Sequence, residues 1–276
     1  MKIYAMVRQG TGEYKSQCDD RILVGNVILD NGYYEVENNS ENLKITIAVA
    51  DGAGGTGAGW FAAQNTLEGV KYALNDNDVF DENEVTDVMR DINNRLNEMI
   101  DEDEEISISA STLSMIKLAD GEALLVHLGD SRIYSVNGEE TLLKRLTTDQ
   151  NKLNKIKDMP ENEGRSISQM MNDPGATHIT GYMGSDAERF DSEIVVTPIG
   201  INKNNQYIIT TDGIHDYIDT EVMSEILFSD KSPREKMLAL MDEARREPVE
   251  GENKEASEDD QSIIYIDFSD ERGANS

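Results

Sequence analysis

Cysteine, basic side chains and long apolar runs are all scarce in this sequence of 276 residues. Its single cysteine, Cys18, excludes an internal disulfide and is compatible with a reducing compartment. No apolar run approaches the length of a membrane span, and the N-terminal MKIYAMVRQG has no apolar stretch of signal-peptide length. These absences predict a soluble cytoplasmic protein without a membrane partner.

The shortage of positive charge limits the kinds of partner. The chain has 25 Lys and Arg residues against 55 Asp and Glu, which gives a formal net charge of −30 at pH 7. Nucleic acid and anionic membrane surfaces repel such a protein, so neither is an expected partner. An anionic substrate would need positive charge concentrated locally.

Apolar patterning predicts hairpin-linked strands with helices grouped between them. Helices are predicted at Trp60–Leu74, from Glu84 to Met99, and near 219–228 and 232–246. Strands are predicted at Ile45–Ala50, Ser109–Leu118, Ala123–Leu128, Arg132–Ser135, Glu193–Val196, Gln206–Thr210 and Ser262–Phe268. This order favours an α+β sandwich with mostly antiparallel sheets. Without a long linker or an internal repeat, residues 1–276 are expected to form one domain, with an insertion at about 150–178 and a frayed tail after 269.

The stretch ITIAVADGAGGTGAGW contains a G-x-G-x-x-G pattern at glycines 52, 54 and 57. After a strand and before a helix, this pattern is typical of a dinucleotide site. A dinucleotide fold needs a second parallel strand soon after that helix, whereas here a second helix follows. Asp51, directly before the first glycine, would also repel a pyrophosphate. The pattern therefore does not indicate a nucleotide site.

Aspartates at the ends of predicted strands form a more informative pattern. Three apolar runs end in Asp51, Asp130 and Asp212, and acids including Asp259 precede the final strand. Antiparallel neighbours place the end of one strand beside the start of the next, so all four sites are expected at one edge. A plain turn explains any single Asp-Gly pair, but it explains the set less well.

Carboxylates that converge on one edge need a cation. Two unit charges about 4 Å apart repel by about 4 kcal/mol at an effective dielectric of 20. The candidate ligands are all oxygens, with no Cys or His pair at zinc spacing, which favours Mg²⁺ or Mn²⁺. Two such ions sharing one aspartate would activate a water and hold a phosphoryl group. Gly52 lets the backbone approach closely, so its carbonyl is a further candidate ligand.

These motifs resemble the metal-dependent protein serine/threonine phosphatases of the type-2C (PPM) class, especially the small bacterial members. The resemblance runs in order along nearly the whole chain. It comprises Lys15 with Asp19-Asp20, Asp51-Gly-Ala-Gly-Gly55, Ser111-Thr-Leu113, Gly129-Asp-Ser-Arg132, Leu146 to Gln150, Thr180 to Gly184, Thr211-Asp-Gly213 with Asp216, and Asp259 to Ser262. Each motif is weak alone, but six or more in the right order are a strong signal.

The resemblance implies a four-layer αββα sandwich and a binuclear Mn²⁺ or Mg²⁺ site. By position, Asp51 would bridge the two core ions. Asp212 and Asp259 would complete one ion site, Asp19 and the Gly52 carbonyl the other, and Asp130 with Asp212 would hold a possible third ion. The implied reaction is hydrolysis of phosphoserine or phosphothreonine in proteins by a water activated between two ions. The implied partners are phosphoproteins of a serine/threonine kinase, in signalling, with the enzyme as a monomer.

Several positions depart from the family pattern. Lys15 replaces the arginine that binds substrate phosphate, so it would offer a point charge rather than a fork. Asp19 replaces a Glu and is one methylene shorter, Cys18 and Asp260 each replace an Asn, and Ala53 replaces a histidine proposed as general acid in some members. Cys18 and the three histidines are interpreted as structural residues. None of them lies where it could replace the missing general acid.

Two alternatives remain open at this stage. One is a pseudophosphatase that binds a phosphoprotein without turnover; the Lys15 and Asp19 changes favour it, and the retained core aspartates argue against it. The other is a phosphatase of small phosphate esters. The sequence does not distinguish small esters from phosphoproteins as substrates.

Overall fold

Two antiparallel sheets form the centre of the computed structural model, which describes residues 1–12, 17–38, 43–53, 58–75, 78–119, 121–157, 159, 162, 169–170, 173–202, 204–249 and 255–268. Sheet A has the strand order β11-β10-β13-β14-β1-β4, and sheet B has the order β12-β9-β8-β5-β2-β3. The strands are β1 (Lys2–Arg8), β2 (Arg21–Val24), β3 (Val27–Leu29), β4 (Gly32–Glu37), β5 (Lys44–Ala50), β6 (Gly52–Ala53), β7 (Ala110–Ser111), β8 (Leu113–Ala119), β9 (Glu122–Leu128), β10 (Arg132–Asn137), β11 (Leu142–Arg145), β12 (Val195–Ile199), β13 (Asn205–Thr210) and β14 (Gln261–Asp267).

The α-helices are α1 (Gly59–Leu74), α2 (Glu82–Asp101), α3 (Lys152–Ile156), α4 (Ala187–Glu193), α5 (Asp212–His215), α6 (Thr220–Leu227) and α7 (Pro233–Ala244). Side-chain caps begin α2, α3, α4 and α7. Asp81 accepts hydrogen bonds from the first turn of α2, and Ser232 forms a capping box with Glu235 at the start of α7, where Pro233 is the first helical residue. No helix in the described ranges is both long and apolar enough to cross a bilayer.

Three apolar clusters separate four layers. The central cluster joins the facing sides of the sheets, with Ile3 and Ile264 from sheet A against Ile47 and Ile116 from sheet B. The other face of sheet B packs under α1 and α2, and the other face of sheet A packs under α6 and α7. This arrangement confirms the predicted α+β sandwich, with two antiparallel sheets between helix layers.

The N-terminal strands are the main part of the fold that the pattern did not predict. No element was expected before Ile45, yet β1 lies between β14 and β4 in sheet A, and β2 pairs with β5 in sheet B. Helix α4 was also missed, and β12 runs over Val195–Ile199 rather than Glu193–Val196. The predicted strand Ser109–Leu118 is divided at Thr112 into β7 and β8.

Candidate metal centre

Strand register places the predicted aspartates at one edge of the sandwich. Arg21 lies opposite Ala50, so Asp20 and Asp51 come from adjacent strand ends in sheet B. In sheet A, Thr210 lies opposite Ile263, which places Asp212 beside the chain that enters β14. Strands β5 and β13 therefore end, and strands β2 and β14 begin, where these carboxylates are found.

Asp51 and Asp212 form the centre of the group. The two carboxyls are close enough for each to shift the pKa of the other. Burial raises the pKa of Asp51 well above its usual range, and the charges of Asp212, Asp20 and Asp259 raise it further. Burial and the charge of Asp259 raise the pKa of Asp212 to about 6. The charge of Asp259 thus opposes the ionisation of both Asp51 and Asp212.

Asp130 belongs to the same edge on the side of Asp212. Burial raises its pKa well above the usual range, and the charges of Asp212, Asp216 and Asp149 add to the effect. Asp130 follows Gly129, which has a φ of 111° and whose added Cβ would lie 2.7 Å from the Thr112 side chain. A glycine is therefore required for the turn that presents Asp130.

Asp19 and Asp20 have different environments. Asp19 accepts a hydrogen bond from the backbone N–H of Trp60 at 2.9 Å, in the first turn of α1. Asp20 is almost fully buried, and its Oδ2 accepts the Thr211 hydroxyl at 2.8 Å. Burial, followed by the charge of Asp260, raises the pKa of Asp20 to about 8. Asp20, for which the sequence predicted no role, carries a charge that acts on Asp51.

Asp260 joins the segments that surround the site. Its two carboxylate oxygens accept the backbone N–H groups of Gly10 at 2.6 Å and Asp19 at 2.7 Å, and its own N–H donates to Asp259 Oδ1 at 2.8 Å. The side chain is 2% exposed. The residue that replaces the family's Asn thus connects the approaches to β2 and β14.

Thr112 supports Asp51 in a way that the sequence did not indicate. The backbone N–H of Asp51 donates to Thr112 Oγ1 at 3.0 Å, and the Thr112 N–H donates to the Asp51 carbonyl at 2.9 Å. Oγ1 of Thr112 also lies 2.7 Å from the Ser131 hydroxyl, next to Asp130. This buried pair of hydroxyls links the loops that carry Asp51 and Asp130.

Segment 183–185, which follows the insertion, is also held by a residue that the sequence did not single out. Asn93 of α2, fully buried, accepts the Gly184 N–H at 2.8 Å and donates to the Ser185 carbonyl at 2.9 Å. Met183 then forms a β-bridge with Ser111, and Ser111 pairs with Gly52. In the sequence, the only indication of this role is that Asn93 lies among the apolar positions of α2.

The basic side chains at this edge are engaged with acids. Arg132 makes a two-pronged contact with Asp149, at 2.9 and 2.7 Å, and reaches Asp216 at 3.2 Å. Arg145 also contacts Asp149, at 3.1 Å. Lys15, the predicted phosphate ligand, and glycines 54, 55 and 57 lie outside the described residues.

Cys18 and two of the histidines have structural roles, as expected. Cys18 packs in the central core, and burial raises the pKa of its thiol. His127 bonds the Ser114 hydroxyl at 2.9 Å and the Thr148 carbonyl at 3.0 Å, and burial lowers its pKa to about 4. His215 is buried and bonds the Thr210 hydroxyl at 2.8 Å.

The glycines after the aspartates allow backbones to cross. An added Cβ on Gly52 would clash with the Gly59 carbonyl, and one on Gly59 would clash with the Gly52 carbonyl. A Cβ on Gly213 would overlap the Asp260 carbonyl oxygen. The closeness of the carboxylates thus depends on glycines at their sides.

We expect Gly213→Ala to lower the free energy of unfolding by about 1–3 kcal/mol, because the new methyl group forces the Asp260 backbone away. Urea unfolding in EDTA measures this without any contribution from bound metal. Gly200→Ala is the matched control, since nothing lies within 4 Å of a Cβ there. Equal stability of the two variants would show that the close approach is not constrained.

In the described part of the chain, no three acidic, histidine or cysteine side chains are arranged to hold an ion as they stand. The donor set itself suits a hard cation, because every candidate ligand is an oxygen and the carboxylates repel one another when ionised.

A family model described as protein phosphatase 2C matches residues 30–230. The chain belongs to the protein phosphatase 2C family. Among curated proteins, it is 30% identical over 116 residues to the protein phosphatase PhpP of Streptococcus pneumoniae, which covers 41% of this chain and 46% of PhpP. The match therefore spans about half the length of that relative.

Solved structures show the same fold over the whole chain. The serine/threonine phosphatase PstP/Ppp of Mycobacterium tuberculosis superimposes with a TM-score of 0.71 at 18% identity. The superposition covers 98% of this chain and 100% of the PstP/Ppp chain. A catalytic domain of the serine/threonine protein phosphatase PstP, solved in complex with 2 manganese ions, superimposes with a TM-score of 0.67 at 18% identity, covering 98% and 100%. At these identities the likeness establishes the fold.

Proposed function

We propose that this protein is a metal-dependent protein phosphatase that hydrolyses phosphoserine and phosphothreonine side chains. The observation that supports it most strongly is the group formed by Asp51, Asp212, Asp20 and Asp259, whose charges oppose one another at one edge of the sandwich. Such a group is destabilising unless protons or cations neutralise it. The family and the names of its relatives supply the substrate class.

Each carboxylate has a proposed role. Asp51 would be shared by the two core ions. Asp212 and Asp259 would complete one ion site, and Asp19 with the Gly52 carbonyl would complete the other. Asp130, whose pKa is raised by the charge of Asp212, would hold a possible third ion. We add Asp20 as a neighbour of the bridging carboxylate, because its charge acts on Asp51. Lys15 is proposed to bind the substrate phosphate.

Bound Mn²⁺ or Mg²⁺ would supply Lewis-acid stabilisation of the phosphoryl oxygens and lower the pKa of a water. The protein's own contribution is position. Thr112 and Ser131 fix the loops of Asp51 and Asp130, Asp260 fixes the Asp19 segment, and Arg132 neutralises Asp149 and Asp216. The loops that carry the candidate ligands are thus held in place by hydrogen bonds before substrate arrives.

Metal dependence is the decisive test. Release of phosphate from p-nitrophenyl phosphate and from a phosphothreonine peptide is expected with Mn²⁺ or Mg²⁺ and not in EDTA. The ratio of the two rates separates protein substrates from small esters. Activity that persists in EDTA would contradict the proposal. No release despite calorimetric metal binding would favour the pseudophosphatase.

Metal should also stabilise the fold. Binding to the folded state alone adds about 2.7 kcal/mol when free metal is a hundredfold above its dissociation constant. Thermal unfolding in Mn²⁺ and in EDTA measures this shift separately from turnover.

The wider setting follows from the proposed activity. Phosphoproteins of a serine/threonine kinase would be the substrates, in cytoplasmic signalling, and the enzyme would act as a monomer. Light scattering after size-exclusion chromatography tests the monomer. One domain over 1–276 stays a prediction, and the predicted tail after 269 lies outside the described residues.

A further inference from the structure

A groove of about 310 Å³ runs along the outer surface between α1 and α2. Its floor is tight, because the Ile92 side chain approaches Gly69 so closely that an added Cβ would lie 2.8 Å from it. Tyr72 and Ala73 of α1 line the groove on one side, and Val88, Asp91 and Met99 of α2 line it on the other. We call this feature the α1–α2 groove.

The rim of the groove exposes large apolar side chains. Tyr72 is 89% exposed, the highest value among the exposed large apolar residues that the structure describes, and Met99 is 40% exposed. They lie on different helices along the same groove, which Ala73 and Val88, both partly buried, also line. An exposed apolar patch rimmed by polar residues is typical of a protein-binding surface.

The surroundings of the groove are acidic. Helix α2 carries six acidic residues against Arg90 and Arg95. Arg90 already contacts Asp87 and Asp191, so its charge is matched. The exposed acidic run that begins at Asp101 starts two residues after Met99, which lines the groove. This run has no part in the candidate metal centre.

We propose that the α1–α2 groove binds a basic amphipathic helix of a partner protein. A helix laid between two others would place apolar side chains at i, i+3, i+4 and i+7 against Tyr72 and Met99. Its lysines and arginines would face Asp91 and the acidic run from Asp101. A second copy fits poorly, since two chains of net charge −30 repel each other.

The test uses two synthetic peptides with the same leucines and lysines. One has leucines at i, i+3, i+4 and i+7, and its isomer distributes them around the helix. Fluorescence anisotropy is measured in EDTA at about 0.15 M salt, where the Debye length is about 8 Å. The patterned peptide is expected to bind about tenfold more tightly than the isomer. Tyr72→Ser with Met99→Ser should remove about that tenfold preference.

Leu142→Ser is the matched control, because Leu142 is 48% exposed on β11, far from both helices in the chain. It should leave the affinity unchanged. Equal binding of the two peptides, or an equal loss in the Leu142 variant, would show charge attraction alone and overturn the proposal. Dimerisation that the groove substitutions abolish would replace the partner helix by a second copy. None of these results depends on phosphatase activity.

Discussion

Replacing Asp51 by asparagine is expected to lower kcat/KM in Mn²⁺ by about 10³-fold. Asparagine keeps the size and one oxygen of the side chain but removes its negative charge. A unit charge about 4 Å from a unit charge of opposite sign is worth about 4 kcal/mol at an effective dielectric of 20, which corresponds to about three powers of ten in rate. Asp212→Asn should behave similarly, because Asp212 is the direct partner of Asp51.

The same substitution should have the opposite effect on stability without metal. In the folded protein, burial and the charges of Asp212, Asp20 and Asp259 all oppose the ionisation of Asp51. Asp51→Asn removes that repulsion, so the melting temperature in EDTA should rise while activity falls. Asp242→Asn, on an exposed carboxylate that pairs with Arg8, is the control and should change neither quantity much. An Asp51→Asn variant within tenfold of normal activity would rule out the proposed bridging role.

The convergence of the acids could be predicted because it follows from local pattern. Asp51, Asp130 and Asp212 each follow a run of buried apolar residues, and such a run predicts both a strand and the point where it ends. Antiparallel pairing then brings strand ends to one edge. In the structure, the charges of Asp212 and Asp259 act on Asp51, and the charge of Asp212 also acts on Asp130.

The N-terminal strands could not be predicted, because distant residues stabilise them. Strand β1, near the start of the sequence, pairs with β14, near its end, so that Lys2 lies opposite Asp267. Strand β4 is a half-exposed edge strand without a continuous apolar run. Apolar periodicity indicates which residues of a segment are buried, but it does not indicate which distant strand the segment pairs with.

The roles of Asp19 and Asp20 could not be separated for a related reason. Two adjacent acids in a loop are equivalent in the sequence, and only the register of β2 with β5 decides which one faces the core. That register buries Asp20 against Thr211. It leaves Asp19 where its carboxylate accepts the backbone N–H of Trp60, in the first turn of α1. Thr112 and Asn93 were missed because hydrogen bonds to a distant backbone leave no periodic signal.

The metal-free protein is expected to lose stability as pH rises from about 4 to 8. The folded-state pKa values of Asp20, about 8, and Asp212, about 6, lie above the ordinary Asp value. The folded state therefore retains protons that the unfolded chain releases, and each retained proton lowers the free energy of unfolding by about 1.4 kcal/mol per pH unit. The contribution of these protons to the free energy of unfolding is complete at a pH below the pKa of Asp in the unfolded chain. It is lost as the pH rises through the folded-state pKa values of Asp212 and Asp20.

Metal should reverse this dependence, since bound ions need ionised carboxylates and displace the protons. Urea unfolding between pH 5 and 8 should show the gap between the Mn²⁺ and EDTA curves widening with pH. Asp20→Asn separates this effect from the general repulsion of a chain with net charge −30. Asparagine still accepts the Thr211 hydroxyl but cannot titrate, so the EDTA slope should flatten, whereas Asp87→Asn on the surface of α2 should leave it unchanged. Parallel slopes in all three proteins would mean that Asp20 is ionised throughout this range and that the buried acids do not repel as the structure implies.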